Sequence, residues 1–409
     1  MSSLRRKLAV LGISVLVIAL LIGALELALR ARGFRFSIPT LEALNERKLL
    51  EPTGVGLVRI SPDLSDPEPF GYPLTVRQPQ GSFPIAKDPR KLRIVLVADS
   101  TGHAFNWSQQ AFVACLQERA GREIEFINLS FAGCGSDRTL PTTREALALR
   151  PDMMIVATGH SDFVSHCNPE TYADFREHKG RAIAASLYQN LLSLQLLAKL
   201  SALATKRATT NEERKQLAAR LQRSYSEEEK KEFYTVFRER LGAIAREAKV
   251  AGVPVIFTTM AYNYMIPPLW ESGGKGPAAG MYDAPRMSLK ELEKKAREPG
   301  VSLLYKYFLG RAYQENGQAE KAKQLIDEVF GKSERPFTAT TETNRLIREA
   351  ATAEGVRLVD IKKAVDEASL NQMANGKLML DHCHLNLAGN QVMLSELCAA
   401  VVNENKSQK

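Results

Sequence analysis

Two segments far apart in the chain hold the residue types needed for acyl transfer to a side chain. Ile94-Val95-Leu96-Val97-Ala98-Asp99-Ser100 has the pattern of a buried strand and ends in Asp-Ser. Asp381-His382-Cys383-His384 places a carboxylate three residues before a histidine. A serine hydroxyl is a weak nucleophile unless an imidazole takes its proton, and the imidazole works best when a carboxylate fixes its tautomer. Ser100, His384 and Asp381 supply those three parts. The competing reading of Ser100 is a helix N-cap, a position serine favours; the Asp381/His384 pair shifts the reading to catalysis. Cys383 between two histidines invites a thiolate nucleophile, but adjacent side chains rarely face each other productively. Asp99 reads as structural, and His382 as a surface residue pointing away from the pair. His103, His166 and His178 share no metal-ligand spacing, so no metal is expected. There is no GxSxG elbow, no GxGxxG after a strand and no P-loop, so no nucleotide or other cofactor is expected.

The elements around these segments alternate. Arg93–Val97, Ile124–Asn128, Met153–Ala157, Val253–Thr258 and Val356–Asp360 are short apolar runs suited to strands buried on both faces. Gln109–Ala120, Pro141–Leu149, Glu228–Ala251 and Thr341–Ala353 read as helices between them, and Gly252 and Gly355 stand where two of those helices should stop. The alternation predicts an α/β fold of three αβα layers around a parallel sheet of about five strands in flavodoxin-like order. Ligands of such sheets bind at the C-terminal strand ends, where Asp99-Ser100, Asn128 and Gly159 fall.

On these residues the chain resembles the SGNH, or GDSL-type, hydrolases. Ala98-Asp99-Ser100, Asn128-Leu129-Ser130-Phe131-Ala132-Gly133, Gly159-His160-Ser161-Asp162-Phe163 and Asp381-His382-Cys383-His384 stand in the order of that family's four main blocks. The match covers roughly residues 91–163, 230–262 and 338–402. The resemblance implies that Ser100 is the nucleophile, His384 its base and Asp381 the orienting carboxylate. It also implies an oxyanion hole made by the amides of Ser100 and Gly133 with a donor from position 161. Two positions depart from the family. Ala98 replaces a glycine, and Ser161 replaces an asparagine whose amide is an oxyanion donor. A serine hydroxyl can donate, but it is shorter and rotates; loss of one such donor can cost about 100- to 1,000-fold in turnover. His160 and Asp162 are candidate pocket residues. Arg335-Pro336-Phe337 and Asn344 are candidates for lining an acyl or sugar subsite.

The start of the chain carries an uncharged apolar run, residues 8–25 (LAVLGISVLVIALLIGAL). A bilayer-spanning helix needs about 20 such residues. The expectation is an N-terminal transmembrane helix within an anchor over residues 1–35, retained rather than cleaved, since Glu26 and Leu27–Leu29 intervene before any small-x-small site. The formal charge is +9, but Lys and Arg are scattered among Glu without interleaved aromatics, which argues against a nucleic-acid partner. Residues 36–90 read as an extended lead-in, and 91–402 as the catalytic domain with helical insertions at 164–227 and 289–331. In the first insertion Ile183–Leu203 reads as a core or lid helix. In the second, Gly310, Ala312, Tyr313, Gly317 and Ala322 fall at the spacing of a tetratricopeptide helical hairpin. One such unit cannot bury its own face, so it is expected to pack on the main domain. A groove for a protein partner is the rival reading. The five cysteines, Cys115, Cys134, Cys167, Cys383 and Cys398, fit neither a zinc site nor a CxxC pair. One disulfide or buried free thiols both remain open.

The expected function is ester hydrolysis through Ser100, His384 and Asp381 by way of an acyl-enzyme. The enzyme would be a single-pass protein of a bacterial inner membrane with its catalytic domain facing the periplasm or the outside. The expected substrate bears an ester, with acylated envelope glycans as the class its location suggests. An O-acyltransferase using the same relay is the rival within enzymes. A non-catalytic envelope protein that binds a partner through its hairpin is the rival outside them.

Overall fold

The computed structural model describes residues 2–32, 48–65, 74–163, 193, 196, 224–267, 284–334 and 336–407. The chain forms two compact units: Met1–Arg47 with Glu170–Ala218, and Lys48–Pro169 with Ala219–Lys409. The expected lead-in over 36–90 is thus divided between the two units.

In the first unit, α1 (Ser2–Ala31) is a 30-residue helix. Ile13, Leu16, Val17, Ile18, Leu20 and Leu21 are all exposed on it. At about 100° per residue they cover more than half of the circumference, unlike the single apolar stripe of a surface helix. Glu26 is buried, and it accepts from Arg30 Nε (2.8 Å) and from the amide and hydroxyl of Ser193 (2.9 and 3.0 Å). Among the described residues no helix is both long and apolar enough to cross a membrane. Part of the 8–25 run has side chains outside those described, and Ile183–Leu203 lies outside them apart from Ser193 and Leu196.

The second unit opens on an antiparallel sheet of β1 (Leu50–Gly54), β2 (Leu57–Ile60) and β3 (Phe83–Pro84). The lead-in is therefore partly folded, a correction to its reading as extended chain. Val58, Ile60 and Phe83 are its buried side chains. A larger sheet follows: β4 (Lys91–Ala98), β5 (Glu123–Asn128), β6 (Met153–Ala157), β7 (Val255–Thr258) and β8 (Arg357–Val359). All its pairs are parallel, in the order β5-β4-β6-β7-β8. That is the flavodoxin-like order. The apolar character of β4, β6 and β7 follows from burial on both faces.

Helices cover both faces. On one side α2 (Phe105–Ala120) packs against the last helix, and on the other α3 (Ser136–Ala148) packs against α4 (Glu227–Val250). Three helices form the second insertion: α5 (Leu289–Ala296), α6 (Leu303–Glu315) and α7 (Ala319–Lys332). Then come α8 (Thr341–Glu354), which lies on α4, α9 (Ile361–Glu367) and α10 (Leu387–Ser407). Cys115 of α2 and Cys398 of α10 form a disulfide, while Cys134 and Cys383 are buried thiols and Cys167 lies outside the described residues. The helix expected from Pro141 begins at Ser136 instead, with Pro141 inside it. Its start is fixed by a distant carboxylate, Asp162, which the local sequence cannot reveal.

In the insertion, α6 and α7 run closely together because a Cβ at Gly310 would lie 2.6 Å from Ile326 Cγ1. One face of the pair joins the main core through Tyr307, Ile326, Val329 and Phe330. The opposite face is covered by α5, with Leu292 packed on Tyr305 and Leu309. The pair thus has chain on both sides.

Arg93 ties the small sheet to the large one. It is fully buried in β4. Its Nε donates to Glu125 Oε2 (2.7 Å), Nη1 to the carbonyls of Ile85 (2.9 Å) and Leu149 (2.5 Å), and Nη2 to those of Pro84 (2.9 Å) and Ala86 (3.2 Å). All five guanidinium donors are used.

Candidate active site

β4 delivers the chain to a 3-10 turn over Ser100–Ala104. The cap of this turn is Asp99 rather than Ser100, which corrects the N-cap alternative. Asp99 Oδ1 accepts the Thr101 amide (3.0 Å) and hydroxyl (2.7 Å), and Oδ2 accepts the His160 amide (3.2 Å). Ser100 Oγ is left for other work. The turn is pinned from β5, where Asn128 Nδ2 donates to Gly102 O (2.9 Å) and Asn128 Oδ1 accepts the Ser130 amide (3.1 Å) and hydroxyl. A Cβ at Gly102 would stand 1.7 Å from Ser130 Oγ, so glycine is what permits this approach.

His384 comes from the opposite end of the sequence, on a tight turn ahead of α10. Leu380 N–H donates to His384 O (2.7 Å), and Met379 bridges Leu385. Within that turn Asp381 Oδ1 accepts the amides of Cys383 (2.9 Å) and His384 (2.8 Å). Its Oδ2 lies 2.7 Å from His384 Nδ1, and His384 Nε2 lies 2.9 Å from Ser100 Oγ. The structure therefore brings together the three side chains singled out in the sequence. An ionised Asp381 requires Nδ1 to donate, which leaves Nε2 free to accept the Ser100 proton. Burial pushes the His384 pKa down, but the hydrogen bond and charge of Asp381, with Asp99 adding, leave it raised. Burial likewise pushes Asp381 up, yet its bonds from His384 and the two amides hold it well below the usual carboxylate range.

Beside Ser100 lies the turn after β5. Phe131 N–H donates to Ala98 O (2.9 Å) and Ala132 N–H to Leu74 O (2.7 Å), so the lead-in itself holds this turn. Gly133 follows with φ +69°, a conformation costly for other residues. No described residue accepts from the amides of Ser100 or Gly133. Leu74 carried no signal in the sequence.

Other expected residues have different places. His160 is a buried tie between β6 and the segment before α8. Its Nδ1 accepts the Ala339 amide (2.9 Å) and lies 2.8 Å from Thr338 Oγ1. Burial first, then the charges of His384 and His382, push its pKa well down. Asp162 is buried at the start of α3, where Oδ1 accepts the Ser136 amide (3.0 Å) and hydroxyl (2.5 Å). His160 also lines a small cavity together with Thr101, Met260 and Cys383. Ser161, between His160 and Asp162, is also buried. Asn344 is turned inward too: it accepts Met260 N–H (2.7 Å) and donates to Met260 O (3.0 Å), tying α8 to the end of β7. Phe337 does lie near the site, its ring 5.1 Å from that of half-exposed His382; Arg335 lies outside the described residues. Cys383 Sγ sits 3.6 Å from His384 Nδ1, but burial and then the Asp381 charge push its pKa well up, so it is held as a thiol. Asp381, His382 and Cys383 place donor atoms within 4.8 Å of one another. With Asp381 committed to three bonds and Cys383 protonated, they make a poor metal-ligand set.

Burial pushes Asp162 up to about 6 against its bonds from Ser136. A carboxyl raised in the folded state stabilises the fold fully below its unfolded value near 4, and that contribution is lost as pH rises through about 6. That rise corresponds to about 2–3 kcal/mol. Asp162→Asn keeps the Oδ1 acceptor and carries no charge. Urea unfolding at pH 4.5 and pH 7.5 should show a smaller gain on acidification in the variant than in the wild type. Asp381, with its lowered pKa, acts in the opposite sense only below about pH 4.

No family model and no curated protein matches the chain. Among solved structures it is similar to a GDSL-like lipase from Bacteroides thetaiotaomicron at 13% identity, over 77% of this chain and 89% of that one, with a TM-score of 0.36. It is also similar to an acetyl xylan esterase at 12% identity, over 76% and 99% of the two chains, with a TM-score of 0.35. An acetylxylan esterase from Geobacillus stearothermophilus matches at 12% identity over 75% and 91%, also with a TM-score of 0.35. At such identity and overlap these likenesses bear no weight, and the site stands on its own geometry.

Proposed function

We propose that this protein is a serine-dependent ester hydrolase. The observation that carries the reading is the continuous chain from Ser100 Oγ to His384 Nε2 (2.9 Å) and from His384 Nδ1 to Asp381 Oδ2 (2.7 Å). In this reading Ser100 Oγ attacks the ester carbonyl while His384 Nε2 takes its proton. The oxygen that becomes negative is met by the Ser100 and Gly133 amides. His384 then returns the proton to the departing alcohol, leaving an acyl group on Ser100. A water, deprotonated by the same nitrogen, releases the acid. Ser161 adds at most a short donor from a buried position.

The proposal places the enzyme on a membrane with its second unit outside the cytoplasm. Support comes from the apolar side chains exposed around α1 and from the Cys115–Cys398 disulfide, a bond that persists in oxidising compartments. Envelope glycans bearing O-acyl groups are the substrate class that such a location favours.

The test is covalent labelling. Full-length protein in detergent, treated with a fluorophosphonate and weighed intact, should gain one adduct. Ser100→Ala and His384→Ala should gain none. An unlabelled wild type whose circular dichroism shows it folded would overturn the hydrolase reading.

A further inference from the structure

The turn that carries Asp381 and His384 is held from outside by one residue that no motif marks. Asn263, in the segment after β7, is 5% exposed. Its backbone N–H donates to His382 O (3.0 Å) and its Nδ2 to Asp381 O (3.0 Å). Its Oδ1 accepts the Met265 amide (2.9 Å), which fixes the orientation of the side-chain amide. The next residue donates from Tyr264 N–H to Ala374 O (3.0 Å), at the base of the same turn.

The residues flanking Asn263 are gripped by the helical insertion. Tyr262 and Tyr264 are buried. Tyr262 Oη donates to Asp327 of α7 (2.5 Å), and its ring stacks on Phe330 of the same helix (5.3 Å). Tyr307 of α6 donates its hydroxyl to Tyr264 O (3.0 Å). Lys362 of α9 lies over both tyrosine rings (4.3 and 4.4 Å) and donates to Tyr264 Oη (2.7 Å). The insertion thus clamps the segment on either side of the residue that holds the Asp381 backbone.

We propose that Asn263 is a positioning residue for the Asp381–His384 pair, and that the helical insertion serves as its buttress. This rests on the hydrolase reading for its kinetic consequences, though not for its structural one. The carbonyls of Asp381 and His382 set where the Asp381 carboxylate hangs, and a displacement of about 1 Å in such a group can cost about 100-fold in rate.

The variant is Asn263→Ala, which keeps the backbone bond to His382 and removes the one to Asp381. Turnover of a p-nitrophenyl ester should fall about 10- to 100-fold in kcat, with KM little changed. The acid limb of the kcat profile should also move to lower pH, because a loosened Asp381 supports the His384 charge less well. The other titratable groups around His384 are His382 and Cys383 on its own turn, Asp99 and His103 beside Ser100, and His160 after β6. Asn263→Ala alters none of them. Tyr262→Phe, which cuts the Asp327 link without touching the turn, should shift the limb the same way with a smaller fall in kcat. Tyr234→Phe removes a comparable hydroxyl that pairs with Thr340 and should leave the limb in place. Titration of the His384 ring by NMR reads the same effect without turnover, so it applies even if the wild type proves inert to esters and fluorophosphonate. An Asn263→Ala protein with wild-type kcat, or with an unmoved His384 titration, would overturn the proposal.

Discussion

Asp381→Asn is expected to lower ester turnover about 10,000-fold while leaving the protein folded. The asparagine oxygen can still take the amides of Cys383 and His384, so the turn survives. Its nitrogen then faces His384 Nδ1 and donates where the carboxylate accepted. The ring must move its proton to Nε2, which no longer accepts from Ser100 Oγ. The loss is one of tautomer rather than of architecture, and it should be much larger than the loss from Asn263→Ala. Steady-state rates with a p-nitrophenyl ester, beside a thermal melt, separate the two. A variant within tenfold of the wild type would remove Asp381 from the relay. High pH should not restore it, since the defect is the position of a proton on a neutral ring.

The second large effect concerns the fold. Arg93→Met should destabilise the second unit by about 3–5 kcal/mol, a large share of the 5–15 kcal/mol typical of a folded protein. Methionine fills much of the volume but leaves Glu125 without its partner and the carbonyls of Pro84, Ile85, Ala86 and Leu149 without donors. Arg93→Lys keeps the charge but offers three donors to five acceptors, so it should fall between. Urea midpoints order the three proteins. Equal midpoints would mean that water replaces the guanidinium, and that the small sheet is not tied to the large one through it.

The large sheet was legible because its strands are nearly all apolar and are separated by helices with ordinary stop signals, Gly252 and Gly355 among them. The residues that meet at Ser100 could be named because strand end, serine and an Asp-x-x-His pair are local patterns. The small sheet was not legible: Leu50–Gly54 contains Pro52, Thr53 and Gly54, with no alternation to mark a strand. The motif marked His160 and Asp162 but not their partners, Ala339 and Ser136, which are fixed only by tertiary packing. Arg93, Asn263 and Leu74 were invisible for the same reason. Each acts through backbone groups of a distant segment, and no spacing in the chain records that.

The hydrogen bond between Ser100 and His384 closes a separation of 284 residues. As the chain is made, the serine therefore appears 284 residues before its base. Any shorter product that ends before His384 holds a hydroxyl with nothing to take its proton. The relay is complete only once the Asp381–His384 turn has formed against Asn263, so the order of synthesis sets when its parts can meet.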